Sequence, residues 1–143
     1  MFATIKSLGL FGLNAFPVDV EVDIQKGLPH FDIVGLPDAA VKESRERIRA
    51  ALYSISVTLP PKHIVVNLAP ADVKKSGTMH DLAILVGVLK SMGQLSRSMQ
   101  GKFFIGEVSL SGEVRSVNGV LPMTILARSL GVEELYVPAD NAA

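Results

Sequence analysis

The sequence predicts an α/β (α+β) fold, and three observations carry that prediction. Residues 17–24 alternate strictly, with Val18, Val20, Val22 and Ile24 on one side and Asp19, Glu21 and Asp23 on the other, the period-two pattern of a half-buried strand. After Asp38 the period changes. Val41, Ile48, Leu52 and Ile55, with Ala40 and Ala51, recur at helical spacing, while Lys42, Glu43, Arg45, Glu46, Arg47 and Arg49 take the opposite face. A second helical run beginning at Asp81 is apolar nearly all round, as expected of a helix buried at the centre of a domain.

The remaining elements follow in chain order. Residues 3–13 are apolar and read as a first strand, with Gly9 and Gly12 marking a weak end or a bulge. Lys26 and Gly27 close a hairpin onto a short strand around Phe31, Ile33 and Val34, which stops at Gly35, Leu36 and Pro37. Asp38 caps the first helix, because its carboxylate can accept the unpaired N–H groups of the first turn. Within that helix Glu43–Arg47 and Glu46–Arg49 stand at spacings that favour ion pairs. Pro60 and Pro61 end the connection to a fourth strand, residues 63–68, and a polar loop, residues 69–77, leads to the central helix, residues 81–92. Residues 103–110 form another strand, Ser111 and Gly112 a tight turn, and residues 113–117 its continuation. A last helix, residues 121–130, ends at Gly131, and residues 135–137 form a final short strand.

Composition narrows the function classes. A chain of 143 residues can bury roughly two-thirds of its unfolded surface, enough for a core without staples. Zero cysteines exclude a disulfide framework, a thiol nucleophile and Cys-based metal sites. At 48% apolar and 20% charged residues the chain is globular, and no apolar run reaches the roughly 18 residues of a membrane span. The formal charge of zero argues against a generally basic nucleic-acid binder. That zero conceals segregation: residues 1–41 carry −3, residues 42–75 carry +4 and residues 76–143 carry −1. The middle segment is therefore a candidate surface for an anionic partner. Solvated faces that merely balance one another remain the alternative. The carboxylate row Asp19, Glu21 and Asp23 is in the same way either a hard-cation site or the wet face of a strand.

Few catalytic motifs are present. No G-x-x-x-x-G-K-[ST] loop exists, since Gly101-Lys102 is followed by Phe103, so this chain has no site for P-loop nucleotide phosphates. His30, His63 and His80 lie in different elements without metal-ligand spacing and read as lone histidines. There is no G-x-S-x-G elbow. Lys74, Lys75 and Ser76 leave open a serine–lysine pair, although sequence neighbours rarely present that geometry.

Several segments together resemble one family. They are Val34-Gly-Leu-Pro-Asp-Ala-Ala40, Lys42-Glu-Ser-Arg-Glu-Arg47 with Arg49-Ala-Ala-Leu52, and Val66-Asn-Leu-Ala-Pro-Ala-Asp72. Phe104-Ile-Gly-Glu-Val-Ser-Leu-Ser-Gly-Glu113, Gly119-Val-Leu-Pro122 and Val137-Pro-Ala-Asp-Asn-Ala142 continue the series. The chain is similar, from about Ile5 to its end, to the N-terminal domain of the magnesium-chelatase-related AAA+ ATPases, the ComM/YifB family.

The resemblance implies a Lon-protease-domain-like, ribosomal-protein-like βαβ sandwich with a mixed sheet and two to three packed helices. Residues 1–143 would be a single Lon-like N-terminal domain, truncated at its C-terminal end and lacking the AAA+ module. The resemblance further implies a bacterial cytoplasmic protein whose full-length form binds ATP and Mg, assembles with itself into a ring (a hexamer) and engages DNA in branch migration during natural transformation. In this chain no cofactor and no metal is expected. Lon-like peptidases place a serine and a lysine where this sequence carries Met79 and Leu121; a thioether and an isobutyl group can neither attack a carbonyl nor take a proton. The stretch 77–80 also departs from the family pattern.

Two surfaces are thereby expected. Lys74, Lys75, Arg45 and Arg49 would contact DNA phosphates. In a self-assembly reading, Arg45 and Arg49 would instead face Asp19, Glu21 or Asp23 of a neighbouring copy, with Arg47 among the same contacts.

Overall fold

A computed structural model describes residues 1–142. Along the chain run β1 (Phe2–Phe11), β2 (Asn14–Gln25), β3 (His30–Val34), α1 (Ala39–Lys42), α2 (Ser44–Ser54), β4 (His63–Ala69) and α3 (Asp81–Ser91). They are followed by β5 (Lys102–Phe104), β6 (Glu107–Val108), β7 (Val114–Arg115), α4 (Val120–Ser129) and β8 (Glu134–Tyr136). Six strands form one sheet in the order β3-β4-β2-β1-β5-β8, while β6 and β7 make a separate antiparallel ribbon. The sheet is mixed: β1–β2 and β2–β4 are antiparallel, whereas β3–β4, β1–β5 and β5–β8 are parallel. The α/β class with a mixed sheet is thus what the structure holds.

The alternation in β2 does what its period requires. Val18, Val20, Val22 and Ile24 are buried on one face. Across the sheet they continue in apolar rows, Ile24 beside Ile64 beside Phe31, and Val22 beside Val66 beside Ile33. These rows explain a departure from expectation. Lys26 and Gly27 do not close a hairpin between β2 and β3, because β4 lies between them and presents an apolar face to both. The hairpin is instead one turn earlier. Gly9 stays within a regular ladder, and Gly12 with Leu13 forms a two-residue turn closed by Phe11 opposite Asn14. Gly12 sits at φ +62, the left-handed conformation that such turns demand.

Helices cover both faces. α2 and α3 share a cluster with β1, β2, β3 and β4 through Val41, Ile48, Leu52, Ala83, Ile84 and Val88. Ile55, expected on the apolar stripe, is the C-terminal cap of α2 and half exposed. α4 belongs to a second cluster, in which Met123 and Ala127 join Leu8, Ile105 and Met79, with Phe103 and Leu135 packed beside them.

The strand expected over residues 103–110 breaks after Phe104. The Gly106 N–H donates to the Met79 carbonyl at 3.0 Å, and the Leu82 N–H donates to the Gly106 carbonyl at 3.1 Å. The chain is therefore drawn out of the sheet to the start of α3.

Asp38 caps α1 as its side chain predicts, accepting from the Val41 N–H at 2.8 Å and, through its other oxygen, from the Gly77 N–H at 3.2 Å. Replacing it with alanine is expected to lower stability by about 1 to 2 kcal/mol, read from the midpoint of a urea melt. A shift near zero would mean that water serves both donors equally well.

Candidate functional site

The sequence places two adjacent lysines in the basic loop between β4 and α3, and the structure separates them. Lys74 is exposed, but Lys75 is fully buried. The backbone explains the inversion: the Lys75 N–H donates to the Leu36 carbonyl at 3.0 Å, and the Asp38 N–H donates to the Lys75 carbonyl at 2.9 Å. This short bridge turns the side chain inward, where its ammonium donates to the Gly35 carbonyl at 2.8 Å and to the Pro70 carbonyl. Gly35 can approach because it has no Cβ; one placed there would stand 2.3 Å from the Leu68 oxygen. Burial pushes the Lys75 ammonium below its ordinary value, with the Asp72 charge opposing. Lys75 therefore cannot reach a phosphate, because its donors already stitch two loops together.

The arginines of α2 likewise divide. Arg49 is exposed and lies 3.7 Å from Glu46. Arg45 is half-buried, 3.8 Å from Glu46, with one guanidinium nitrogen 3.5 Å from the Phe31 carbonyl. Arg47 points inward. Its Nε donates to Asp81 Oδ2 at 2.6 Å and its Nη2 to Asp81 Oδ1 at 2.9 Å, a two-point clamp on a carboxylate with no solvent exposure. Ser44 Oγ at 2.5 Å and the Val108 N–H at 3.1 Å complete the carboxylate's partners. The Asp81 hydrogen bond holds the Arg47 guanidinium above its ordinary value. The expectations that Arg47 faces a neighbouring copy and pairs with Glu43 are both corrected, because a buried carboxylate offers stronger, less solvated hydrogen bonds than a surface acid.

The acidic row on β2 lies on the strand's solvent-facing side, and each member is held locally. Asp19 accepts from Lys6 Nζ, Glu21 from Asn67 Nδ2 and Asp23 from Gln25 Nε2, each at 2.7 Å. Among the described residues no group of His, Cys, Asp and Glu has an arrangement that could hold a metal ion.

Two clusters have no forewarning in the sequence pattern. His30 and His63 are register partners on β3 and β4, and Asp32 bridges them, one carboxylate oxygen 2.8 Å from each Nε2. The His63 hydrogen bond holds the Asp32 carboxyl below its ordinary value, against the opposing effect of burial. The spacing His30-x-Asp32 on a strand is the available signal; which strand lies beside it is not.

The second cluster is Ser7 with His80, Oγ to Nδ1 at 3.3 Å. It has the elements of a nucleophile and a base, yet both residues are buried and His80 Nε2 has no partner. Burial, reinforced by the nearby Lys75 charge, lowers the His80 imidazole to about 4, so it is neutral at pH 7.

Close by lies an open cleft of about 300 Å³ lined by Ser76, Gly77, Thr78, Met79, Val117 and Asn118, together with Leu10 and Gly12 of the hairpin. Met79 is in the core behind it and Leu121 is exposed. Ser76 faces solvent while the Lys75 ammonium is engaged with carbonyls, so the sequence-adjacent pair is not assembled.

Comparison with known proteins adds the wider context. Residues 20–141 match the family described as subunit ChlI of Mg-chelatase. The chain is 41% identical over 141 residues to the competence protein ComM of Haemophilus influenzae, covering 98% of this chain and 28% of that protein. It is 40% identical over 131 residues to YifB of Escherichia coli, covering 91% of this chain and 26% of that one. A mitochondrial Lon protease homolog of Drosophila melanogaster is 32% identical over 96 residues, 65% of this chain and 9% of its own length. The chain thus spans little more than a quarter of the length of ComM and YifB. No helix among the described residues is long and apolar enough to cross a membrane.

Proposed function

The chain belongs to the family of the magnesium-chelatase subunit ChlI, with ComM and YifB among its relatives, and on that premise we propose that it serves as a non-catalytic N-terminal domain of an ATP-driven motor. In this reading it assists ring assembly and DNA engagement during branch migration in natural transformation, in a bacterial cytoplasm. The observation that carries the reading is the 41% identity to a competence protein along nearly the whole chain. The site chemistry agrees. Among the described residues no exposed side chain is paired as nucleophile and base, and the Lon-like positions are taken by Met79 and Leu121.

Nucleotide would be held elsewhere in the longer protein. The one Gly-Lys pair, Gly101-Lys102, opens the strand β5 rather than a helix, so it lacks the helix N-terminus on which a phosphate loop rests. ATP and Mg therefore have no seat among the described residues.

DNA contact falls to Lys74, Arg45 and Arg49. Such a surface touches phosphates without reading bases, so binding is weak and falls steeply with salt. In fluorescence anisotropy titrations the chain should bind duplex DNA only at low salt. Substituting all three residues by alanine should weaken binding and flatten the salt dependence by roughly 0.9 in log–log slope for each phosphate no longer neutralised. An unchanged slope would remove these residues from DNA contact. The second reading, self-assembly without DNA, gains from the withdrawal of Lys75 and Arg47 into the interior and from the Glu46 charge beside both remaining arginines. It predicts no DNA binding even at low salt.

A further inference from the structure

Two segments without a single ionisable side chain, residues 7–18 and 116–127, come together at one end of the molecule. The first forms the β1–β2 hairpin and the second carries most of α4, which packs across it. Their outward side chains are large and apolar: Phe11 is 71% exposed, Leu13 89%, Leu121 72% and Ile125 61%. Between the hairpin tip and α4 lies a cleft of about 370 Å³, lined by Leu13, Ala15, Pro122, Ile125, Leu126 and Ser129. Single exposed apolar residues need no explanation, but a contiguous uncharged patch of this kind marks a contact surface.

We propose that this patch pairs the chain with a second copy of itself, the hairpin tip of each copy entering the cleft of the other. The inference rests on the self-assembly part of the proposed function and gives it a surface. Three features select a second copy as the occupant. A two-fold contact lays a patch against itself, so any charge would meet its like; here none is present, and Lys6, Asp19, Arg115 and Arg128 lie just beyond the segment ends. The patch also holds both complementary shapes, a projecting tip and a recess, which a two-fold contact requires of one surface. Finally, the charged groups first expected to join copies are engaged within the chain: Asp19 with Lys6, Glu21 with Asn67, Asp23 with Gln25 and Arg47 with Asp81.

Sedimentation velocity on the chain tests the proposal, at concentrations of about 10 to 100 μM and salt from roughly 0.1 to 1 M. The expected result is a dimer that persists or strengthens as salt rises. Leu13→Asp and Ile125→Asp should each weaken it by about tenfold or more. Thermal melts by circular dichroism should match the parent chain, since both side chains already face solvent, and Phe11→Ser provides a milder third variant. A dimer of undiminished strength in all three variants, or one that dissociates as salt rises, overturns the patch while leaving self-assembly standing through charged contacts. A chain that stays monomeric throughout overturns both, and assigns the patch to a different partner.

Discussion

Asp81→Ala should cost about 3 to 5 kcal/mol of stability, the largest single-residue effect expected in this protein. The carboxylate has no solvent exposure and collects four donors from three residues: Ser44 and Arg47 on α2, and the Val108 N–H on β6. It therefore fastens the start of α3 to the helix before it and to the ribbon after it. Without the carboxylate the Arg47 guanidinium is left largely buried with only the Ala40 carbonyl at 2.9 Å and the Ser44 hydroxyl at 3.2 Å, and a buried cation without its anion is the costly outcome. Arg47→Met alone should be damaging for the converse reason. The double variant Arg47→Met with Asp81→Leu should be milder than either single change would suggest, because desolvation of both charges disappears together. Urea unfolding of the three variants measures this cycle. A loss below about 1 kcal/mol for Asp81→Ala would show that the clamp is dispensable.

The second large effect is a loss of stability in mild acid, traced to His80. Its imidazole titrates at about 4 in the folded chain, against an ordinary value of 6.5. Above 6.5 both folded and unfolded forms hold it neutral, and its contribution is fully present. As pH falls from 6.5 toward 4 the unfolded chain takes up a proton that the folded chain refuses, so stability drops. The total approaches about 3 kcal/mol, at up to about 1.4 kcal/mol per pH unit. His80→Gln retains a polar group for Ser7 but does not titrate, and should flatten the stability profile over that interval. If parent and variant lose stability in parallel, another group is responsible. Asp32 contributes with the same sign, since its lowered carboxyl must also be protonated in acid, but it acts at lower pH and in a more solvated setting.

These two residues illustrate how much of the site was legible in the chain. Local rules were reliable wherever the deciding partner is close in sequence. Asp38 caps its helix because the Val41 N–H is three residues away, and β2 alternates because its own pleat puts valines on one face and acids on the other. The same rules misplaced the charges. Lys74 and Lys75 are neighbours of identical chemistry, yet one faces solvent and the other the interior, because a bridge to Leu36 and Asp38 fixes the rotation of the backbone between them. Arg47 sits among exposed charges in sequence, and only the placement of α3 reveals that its partner is Asp81, 34 residues further on.

By itself, then, the sequence determined the α/β class, the apolar faces, the helix start at Asp38, the absence of a phosphate loop and the likeness to a family in which Met79 and Leu121 stand where a peptidase would need its serine and lysine. Those properties depend on residue types and short spacings, which do not require the chain to be folded. The tertiary structure decided which charges are surface and which are mortar: Lys75 holding two loops, Arg47 and Asp81 joining helix to helix, His80 closed in with Ser7. It also decided that two uncharged segments, separated by most of the chain, share one exposed face. Burial and long-range pairing are properties of strand order and helix placement. Here β4 inserts between β2 and β3, and α4 crosses the β1–β2 hairpin, so the partners that matter were brought together by topology rather than by proximity in sequence.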